Sequence, residues 1–430
     1  MKEIKPADKP FKGSISVPGD KSISHRSIMF GALAKGDTHI TNFLMADDCL
    51  STIDCFRKLG VSINVTKEMI TVCGAGLHGL KEPAKTLYTG NSGTTTRLIS
   101  GILSAQPFDC RLTGDESIEK RPMKRIMTPL SLMGADIKSE RDNGCAPLII
   151  HGKKLHGVDY ISPVASAQVK SAVILAGLYA DSRTTVTEPA LSRNHTELML
   201  KGFGADITSS RLTASINPGK ELYACDISVP SDISSAAYFI TAAMLVPGSE
   251  LLIKNVGINP TRAGILKVYK EMNADIELVD RRLSGGEETA DILVRYSRDR
   301  LKGTTIEGDI IPALIDELPV IAIAAAFAEG RTVVKDAAEL KVKESDRIKA
   351  VSEGLTSIGG DITATDDGFI INGSEELSGG SIKSFNDHRI AMSFAIAGLA
   401  CKNPVLIDST GCVNISYPEF FDTLTDPCRE

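Results

Sequence analysis

The chain has no tryptophan, and only 5% of its residues are aromatic. Leu, Ile, Val and Ala must therefore fill its core. Its nine cysteines are scattered, with no CxxC pair and no Cys–His cluster at zinc spacing. They read as free, mostly buried thiols in a reducing compartment, with a single catalytic cysteine as the alternative. There is no basic excess either. Forty-eight Lys and Arg stand against 54 Asp and Glu, a net charge of −6, which argues against a general binder of nucleic acid or anionic membrane. The longest apolar run, Leu318 to Ala328, falls far short of the roughly 20 residues that span a bilayer. The first residues, Met1-Lys2-Glu3-Ile4-Lys5-Pro6, carry no apolar signal-peptide core, so a cytoplasmic protein is expected.

What is present is ordinary soluble composition, 42% hydrophobic and 24% charged over 430 residues. That length exceeds one core and suggests two or three domains. The chain also repeats itself. Apolar, helix-like runs restart near Asp20, Asn91, Val164, Ser231, Pro312 and Asp387, an interval of roughly 70 residues that marks one packed supersecondary unit per repeat. A second series keeps the same beat: Gly60-Val61-Ser62-Ile63, Gly134-Ala135-Asp136-Ile137, Gly204-Ala205-Asp206-Ile207, Asn273-Ala274-Asp275-Ile276 and Gly359-Gly360-Asp361-Ile362. Each sits where a helix would end and a strand begin.

The copy from Gly303 to Gly373 reads most clearly. It predicts a strand over Thr304–Glu307, a helix over Pro312–Ala328, a strand over Arg331–Val334 and a helix over Ser345–Ile358. A hairpin then follows around Asp366-Asp367-Gly368. The unit is βαβαββ. Its first helix is apolar on all sides, so it should be buried, while the second is amphipathic. The expected fold is α/β (α+β): a two-domain inverse α/β barrel, each domain three βαβαββ units with helices inside and sheets outside. Val17-Pro18-Gly19-Asp20 and Val229-Pro230-Ser231-Asp232 begin two copies almost alike. They read as crossings between domains, giving 1–19 plus 232–430 and 20–231, or more plainly as strand-to-helix junctions with Asp as N-cap. The strand before the first crossing, Gly13 to Val17, is expected to close the last unit of the discontinuous domain.

Cations gather at helix starts. Acids are favoured in the first turn of a helix, yet Lys21 and Arg26 crowd one start. Lys120, Arg121, Lys124 and Arg125 crowd another, Lys341, Lys343 and Arg347 a third, and His388 and Arg389 a fourth. An anion held between them would relieve the repulsion; solvated side chains are the plainer account. Gly90-Asn91-Ser92-Gly93-Thr94 is a small turn into a helix, weak alone as a phosphate loop. Asp316 and Glu344 lie among these cations. They are candidates for proton transfer, or members of structural ion pairs. Ser166-Ala167-Gln168 opens another buried helix with short polar groups, or simply caps it.

Together Lys21-Ser22-Ile23-Ser24-His25-Arg26, Gly90-Asn91-Ser92-Gly93-Thr94, Lys120-Arg121-Pro122-Met123, Ser166-Ala167-Gln168, Lys343-Glu344-Ser345-Asp346-Arg347 and Asp387-His388-Arg389 resemble the EPSP synthase family of enolpyruvyl transferases, in order from Pro18 to Pro418. The resemblance implies the two-domain fold above, with substrate between the domains. It implies transfer of the enolpyruvyl group of phosphoenolpyruvate to the 5-hydroxyl of shikimate 3-phosphate, with no metal and no organic cofactor. By motif, shikimate 3-phosphate would be held by Lys21, Ser22, Arg26, Ser166, Gln168, Asp316 and Lys343. Phosphoenolpyruvate would be held by Lys21, Gly93, Arg121, Gln168, Arg347 and Arg389. Asp316 resembles the base for the 5-hydroxyl, Glu344 the acid that protonates the methylene carbon, and Lys21 a proton donor to leaving phosphate.

The chain departs from some branches of the family in two places. No Lys precedes Tyr417-Pro418, and Ala167 stands where others have a second Ser. Gly93 leaves open the space that the family's inhibitor glyphosate uses, so sensitivity is expected. Two other readings stand beside this one. The sister enzyme acting on UDP-N-acetylglucosamine shares the fold, but typically uses a loop Cys and a Lys-Asn pair where Lys21-Ser22 stands. A non-catalytic phosphometabolite sensor would gain nothing from acids among its cations. A monomer is the simpler expectation, with small-molecule substrates as its partners and neither nucleic acid nor membrane.

Overall fold

The computed structural model describes residues 1–284 and 286–425. By its internal contacts the chain divides into two compact units. One is Gly19–Val229 with Ser284–Glu287; the other is Met1–Pro18, Pro230–Leu283 and Glu288–Glu430.

Two strands come first, β1 (Lys2–Ile4) and β2 (Lys12–Ile15). The first repeat runs α1 (Lys21–Leu33), β3 (Lys35–Thr41), α2 (Asp47–Lys58), β4 (Ser62–Val65) and β5 (Met69–Ala75). The second runs β6 (Leu87–Tyr88), α3 (Gly93–Leu103), β7 (Asp109–Thr113), α4 (Lys124–Leu132), β8 (Asp136–Ser139) and β9 (Leu148–His151). The third runs β10 (Asp159–Ile161), α5 (Ala167–Gly177), β11 (Thr184–Thr187), α6 (His195–Gly202), β12 (Asp206–Ser210) and β13 (Thr213–Asn217). The fourth follows β14 (Ile227–Ser228) with α7 (Ile233–Leu245), β15 (Glu250–Gly257), α8 (Gly264–Glu271), β16 (Asp275–Ser284) and β17 (Glu287–Arg295). The fifth is β18 (Thr305–Ile306), α9 (Leu318–Ala326), β19 (Arg331–Val334), α10 (Arg347–Ser357), β20 (Asp361–Ala364) and β21 (Phe369–Asn372). Last come β22 (Gly380–Ile382), α11 (His388–Ala400), β23 (Val405–Ile407) and α12 (Phe420–Thr425).

Each repeat makes one small sheet in a constant order, as in β6-β7-β9-β8 and β10-β11-β13-β12. The first two strands are parallel, joined across the buried helix, and the closing hairpin is antiparallel. The units borrow strands to complete this plan. β14 pairs parallel with β3 and supplies the missing first strand of the first repeat. β2 does the same for the fourth, pairing with β15. The strand before the first crossing therefore closes the first repeat of its unit, not the last as the sequence suggested. The sixth repeat instead uses β1, antiparallel to β23, in a three-stranded sheet β1-β23-β22. This last copy lacks the Gly-Ala-Asp-Ile marker and has no hairpin after its second strand among the described residues, so it departs from the βαβαββ plan.

The marker series has a backbone cause. Gly60, Gly134, Gly204 and Gly359 have φ near +90°, and Asn273 has φ of 67°. Each follows the second helix of its repeat. In α2 the amide of Gly60 donates to the carbonyl of Arg57, and that of Val61 to Phe56. The other four helices repeat this pair of bonds. The left-handed residue ends the helix and turns the chain into the next strand, and glycine adopts it without a Cβ clash.

The helices apolar on all sides are the buried ones. Every residue of α7 and α9 is buried, as is nearly all of α1, α3, α5 and α11. A helix with no polar stripe has no face to give to water. Each unit is thus the inverse α/β arrangement, with one hydrophobic core around its central helices. Packing is close where α3 meets α5: a Cβ on Gly101 would lie 2.1 Å from the carbonyl oxygen of Ala172.

Candidate active site

Several helix starts, though not that of α4, are capped by short acids and hydroxyls. Asp20 accepts from the Ile23 amide (2.8 Å), Ser92 from Thr95 (3.0 Å), Ser166 from Val169 (3.5 Å), Asp232 from Ser234 (2.8 Å), Asp346 from Lys349 (3.1 Å) and Asp387 from Arg389 (2.9 Å). Capping and ligand binding are not exclusive, since a cap satisfies only some of the open amides of the first turn.

In the unit spanning 19–229, Lys21 forms an ion pair with Asp48. Arg26 is buried one turn into α1. Its Nε donates to Thr196 Oγ1 (2.7 Å), and its terminal nitrogens donate to the Ser22 carbonyl (3.0 Å) and Ser171 Oγ (2.9 Å). Burial pulls the guanidinium down to about 10, still charged at neutral pH. Beside it His25 is held well below its ordinary value by burial and by the charges of Lys21 and Arg26, so the imidazole is neutral. A second group forms around Gly93. A Cβ there would meet a terminal nitrogen of Arg121 at 3.0 Å and one of Arg97 at 3.2 Å. Arg97 donates to Gln168 Oε1, and Gln168 Nε2 donates to Thr94 Oγ1 at 3.1 Å. Gly93, Arg121, Gln168 and Thr94 thus come together from three helix starts.

Arg121 occupies the extended link between a short 3-10 turn, Ile118–Lys120, and α4. Lys343 stands likewise between the 3-10 turn Ala338–Val342 and α10. These cations therefore precede their helices instead of opening them.

In the other unit five expected residues meet directly. Asp316 Oδ1 lies 3.2 Å from Lys343 Nζ and 3.3 Å from an Arg347 terminal nitrogen, and Asp316 Oδ2 lies 3.9 Å from Arg389. Glu344 accepts from Arg347 at 2.6 Å. Arg347, only 1% exposed, also forks onto Asp387 at 2.8 and 3.2 Å. Burial alone would lower the Arg347 and Arg389 guanidiniums. The surrounding carboxylates, Asp387 and Glu344 for Arg347, Asp316 and Glu317 for Arg389, more than offset this and leave both raised and permanently charged.

Asp316 does not lie within a helix. The helix expected over Pro312–Ala328 starts only at Leu318, and Asp316 sits in the turn between it and a 3-10 segment, Gly308–Ala313. Pro319 is the cause. Its ring would clash with the carbonyl of Ile315 in a continuous helix and it has no N–H to donate, so it fits only the first turn. The turn aims the carboxylate of Asp316 at three cations.

Several residues at these clusters escaped the sequence reading. Arg97 lies four positions after Gly93 on α3, a spacing that puts both on one face. Asp387 belongs to the motif that supplied Arg389, and its role as anchor for Arg347 needed the fold. Arg262 follows Asn259-Pro260-Thr261, where Asn259 Oδ1 accepts from the Thr261 amide at 2.9 Å. That Asx turn was the available signal.

Three of the described cysteines are unsuited to act as nucleophiles. Burial pushes Cys55 and Cys110 up to about 12, and burial with the charge of Asp387 does the same for Cys412, whereas a reactive thiol needs a lowered value. Among the described residues no cluster of His, Cys, Asp and Glu could hold a metal ion, and no helix is long and apolar enough to cross a membrane.

Comparison with known proteins gives one answer. The model of a family described as EPSP synthase (3-phosphoshikimate 1-carboxyvinyltransferase) matches residues 6–424. A 3-phosphoshikimate 1-carboxyvinyltransferase of Oceanobacillus iheyensis is 51% identical over 421 residues, 98% of each chain. One of Thermoanaerobacter sp. is 54% identical over 412 residues, 96% of each. The solved structure of EPSP synthase from Acinetobacter baumannii aligns with a TM-score of 0.87 at 49% identity, covering 98% of this chain and 97% of that one.

Proposed function

The chain belongs to the EPSP synthase family, and on that premise we propose that it transfers the enolpyruvyl group of phosphoenolpyruvate to the 5-hydroxyl of shikimate 3-phosphate, releasing phosphate. The observation that carries the residue roles is the Asp316 carboxylate set against Lys343, Arg347 and Arg389, with Glu344 on the same Arg347. Two potential proton carriers lie inside a cationic cluster, which chemistry on anionic substrates requires and simple anion capture does not.

In this reading Lys21, Ser22, Arg26, Ser166, Gln168 and Lys343 hold shikimate 3-phosphate. Arg121, Arg347 and Arg389 clamp phosphoenolpyruvate with Lys21 and Gln168, and Gly93 leaves room beside them. Bidentate guanidiniums suit phosphate and carboxylate oxygens. The substrates bring two phosphates and two carboxylates. Both sets of residues act on the one substrate pair, and holding the pair in register supplies about 7–11 kcal/mol of barrier lowering.

The bonds then change as follows. The 5-hydroxyl proton passes to Asp316 while the oxygen bonds to C2 of phosphoenolpyruvate. The electron pair of the double bond takes a proton from Glu344 at C3, giving a methyl group and a tetrahedral intermediate. The C2–O bond to phosphate then breaks, with Lys21 protonating the leaving oxygen. Loss of a methyl proton to the carboxylate of Glu344 restores the double bond. No cofactor takes part. One chain carries every residue named, so a monomer suffices, and the free thiols suit the reducing cytoplasm.

The test is phosphate release from phosphoenolpyruvate with either shikimate 3-phosphate or UDP-N-acetylglucosamine. Release with the first alone is expected. Release with the sugar nucleotide alone would overturn the substrate, and release with neither would make the protein a sensor. Asp316→Asn refines the roles. Turnover should fall by about 10²–10⁴-fold. Anion affinity should hold or rise, because Lys343, Arg347 and Arg389 lose a competing carboxylate. Unchanged turnover would remove Asp316 as base.

A further inference from the structure

Behind Arg389 lies a second, deeper ion cluster that the proposed chemistry does not use. Glu317 is adjacent to Asp316 but faces the other way, its carboxylate 0% exposed. Its Oε1 lies 3.5 Å from a terminal nitrogen of Arg389 and 3.5 Å from one of Arg262, and it accepts from the hydroxyl of Ser234. Arg262 donates to Ser234 Oγ at 2.6 Å and to Asp232 Oδ1 at 3.1 Å. Arg389 completes the ring: one terminal nitrogen donates to the Asp316 carbonyl at 2.9 Å, the other to Ser234 Oγ at 3.3 Å. The cluster draws on four segments, the cap and first turn of α7, the turn before α8, the turn before α9 and the start of α11.

The charges explain the arrangement. Arg262 and Arg389 approach a common carboxylate oxygen and a common hydroxyl, so without Glu317 two buried guanidiniums would face each other. Like charges at such range in a poorly solvated site repel strongly. Glu317 also meets the terminal nitrogen of Arg389 that donates to the Asp316 carbonyl, while the Asp316 carboxylate lies nearer the other terminal nitrogen. We infer that Glu317 and Arg262 are positioning residues that fix the guanidinium of Arg389 for phosphoenolpyruvate, without touching substrate themselves. The inference rests on the reading of Arg389 given above. It assigns a purpose to the acidic pair: Asp316 serves the reacting atoms while Glu317 sets the clamp.

The test separates the two substrates. Glu317→Gln keeps shape and removes charge. It is expected to raise the KM for phosphoenolpyruvate about 10-fold, the scale of one charged hydrogen bond, and to leave the KM for shikimate 3-phosphate within about twofold. Glu317→Asp should recover part of the loss, and it carries the same measurement should Glu317→Gln fail to fold. Arg262→Met should also raise the KM for phosphoenolpyruvate, because Glu317 then draws Arg389 to itself. In an Arg389→Lys background, which lacks the planar fork, Glu317→Gln should add less than about twofold.

Equal loss for both substrates, or full multiplication of the two effects in the double variant, overturns the inference. If Arg389→Lys alone leaves the KM for phosphoenolpyruvate unchanged, the reading of Arg389 itself has failed, and the inference with it.

Discussion

Replacing Arg347 with Met is the sharpest probe of how the charges in this protein balance. Arg347 is buried, and its guanidinium serves Asp387, Glu344 and Asp316 within 3.3 Å. Methionine fills similar volume without charge, so the three carboxylates lose their common cation, and Asp387, 0% exposed, loses it most completely. Breaking a buried pair from one side costs about 3–5 kcal/mol, most of it the stranded charge. At about 2–4 °C per kcal/mol this lowers the unfolding midpoint by roughly 6–20 °C.

The pH dependence gives an independent sign. Burial pushes the Asp387 carboxyl up, but Arg347 and His388 outweigh it, and in the native protein it sits below the ordinary value. Its stabilisation is therefore present above the unfolded pKa and lost as pH falls through the lower folded one. In the variant, burial and the neighbouring Glu344 act without the guanidinium, so Asp387 moves above the unfolded value. The folded variant then binds a proton that the unfolded chain does not, and stability recovers as pH falls from 7 toward 5. Thermal unfolding followed by circular dichroism at both pH values reads this directly, with exposed Arg331→Met as the control. A midpoint within about 3 °C of wild type at pH 7, or a gap that fails to narrow at pH 5, would refute the reasoning.

Other consequences are more local. Gly93→Ala places a Cβ 3.0 Å from Arg121 and 3.2 Å from Arg97. Both contacts are ends of flexible side chains, so stability should hold, helped by up to about 1 kcal/mol of helix propensity. The displaced guanidiniums should raise the KM for phosphoenolpyruvate about fivefold and weaken inhibition by glyphosate, which is expected to inhibit the native enzyme in steady-state assays. Lys170 is buried between Glu188 and Glu197, 2.9 Å from each, and Glu188 also accepts from the Ser166 amide at 2.9 Å. Lys170→Met should cost about 3–5 kcal/mol in denaturant unfolding and raise the KM for shikimate 3-phosphate more than that for phosphoenolpyruvate.

The architecture was legible because its signals are local. A helix apolar on every face can only be buried, and a Gly or Asn at the end of each amphipathic helix reports a left-handed turn that any five-residue window contains. The cations of the candidate site were legible for a similar reason, since Lys21, Arg347 and Arg389 stand at helix starts and Arg121 and Lys343 just before them, where acids would be usual. That the strand before the first crossing returns to the discontinuous domain was legible, but not which repeat it completes. Whether β2 completes the fourth repeat or the sixth depends on which edge is open in three dimensions, and both edges present the same backbone groups.

The sequence by itself determined the repeating unit, the burial of its first helices and the concentration of positive charge around several helix starts, all properties of neighbours along the chain. Only the tertiary structure decided which acid answers each cation. Asp316 and Glu317 are adjacent in the chain, yet one meets Lys343, Arg347 and Arg389 and the other meets Arg262, Ser234 and Arg389. Their separation follows from a turn forced by Pro319 and from partners 27 to 83 positions away in the chain. Coulomb energy depends on distance through space and on burial, and neither is written in the order of residues.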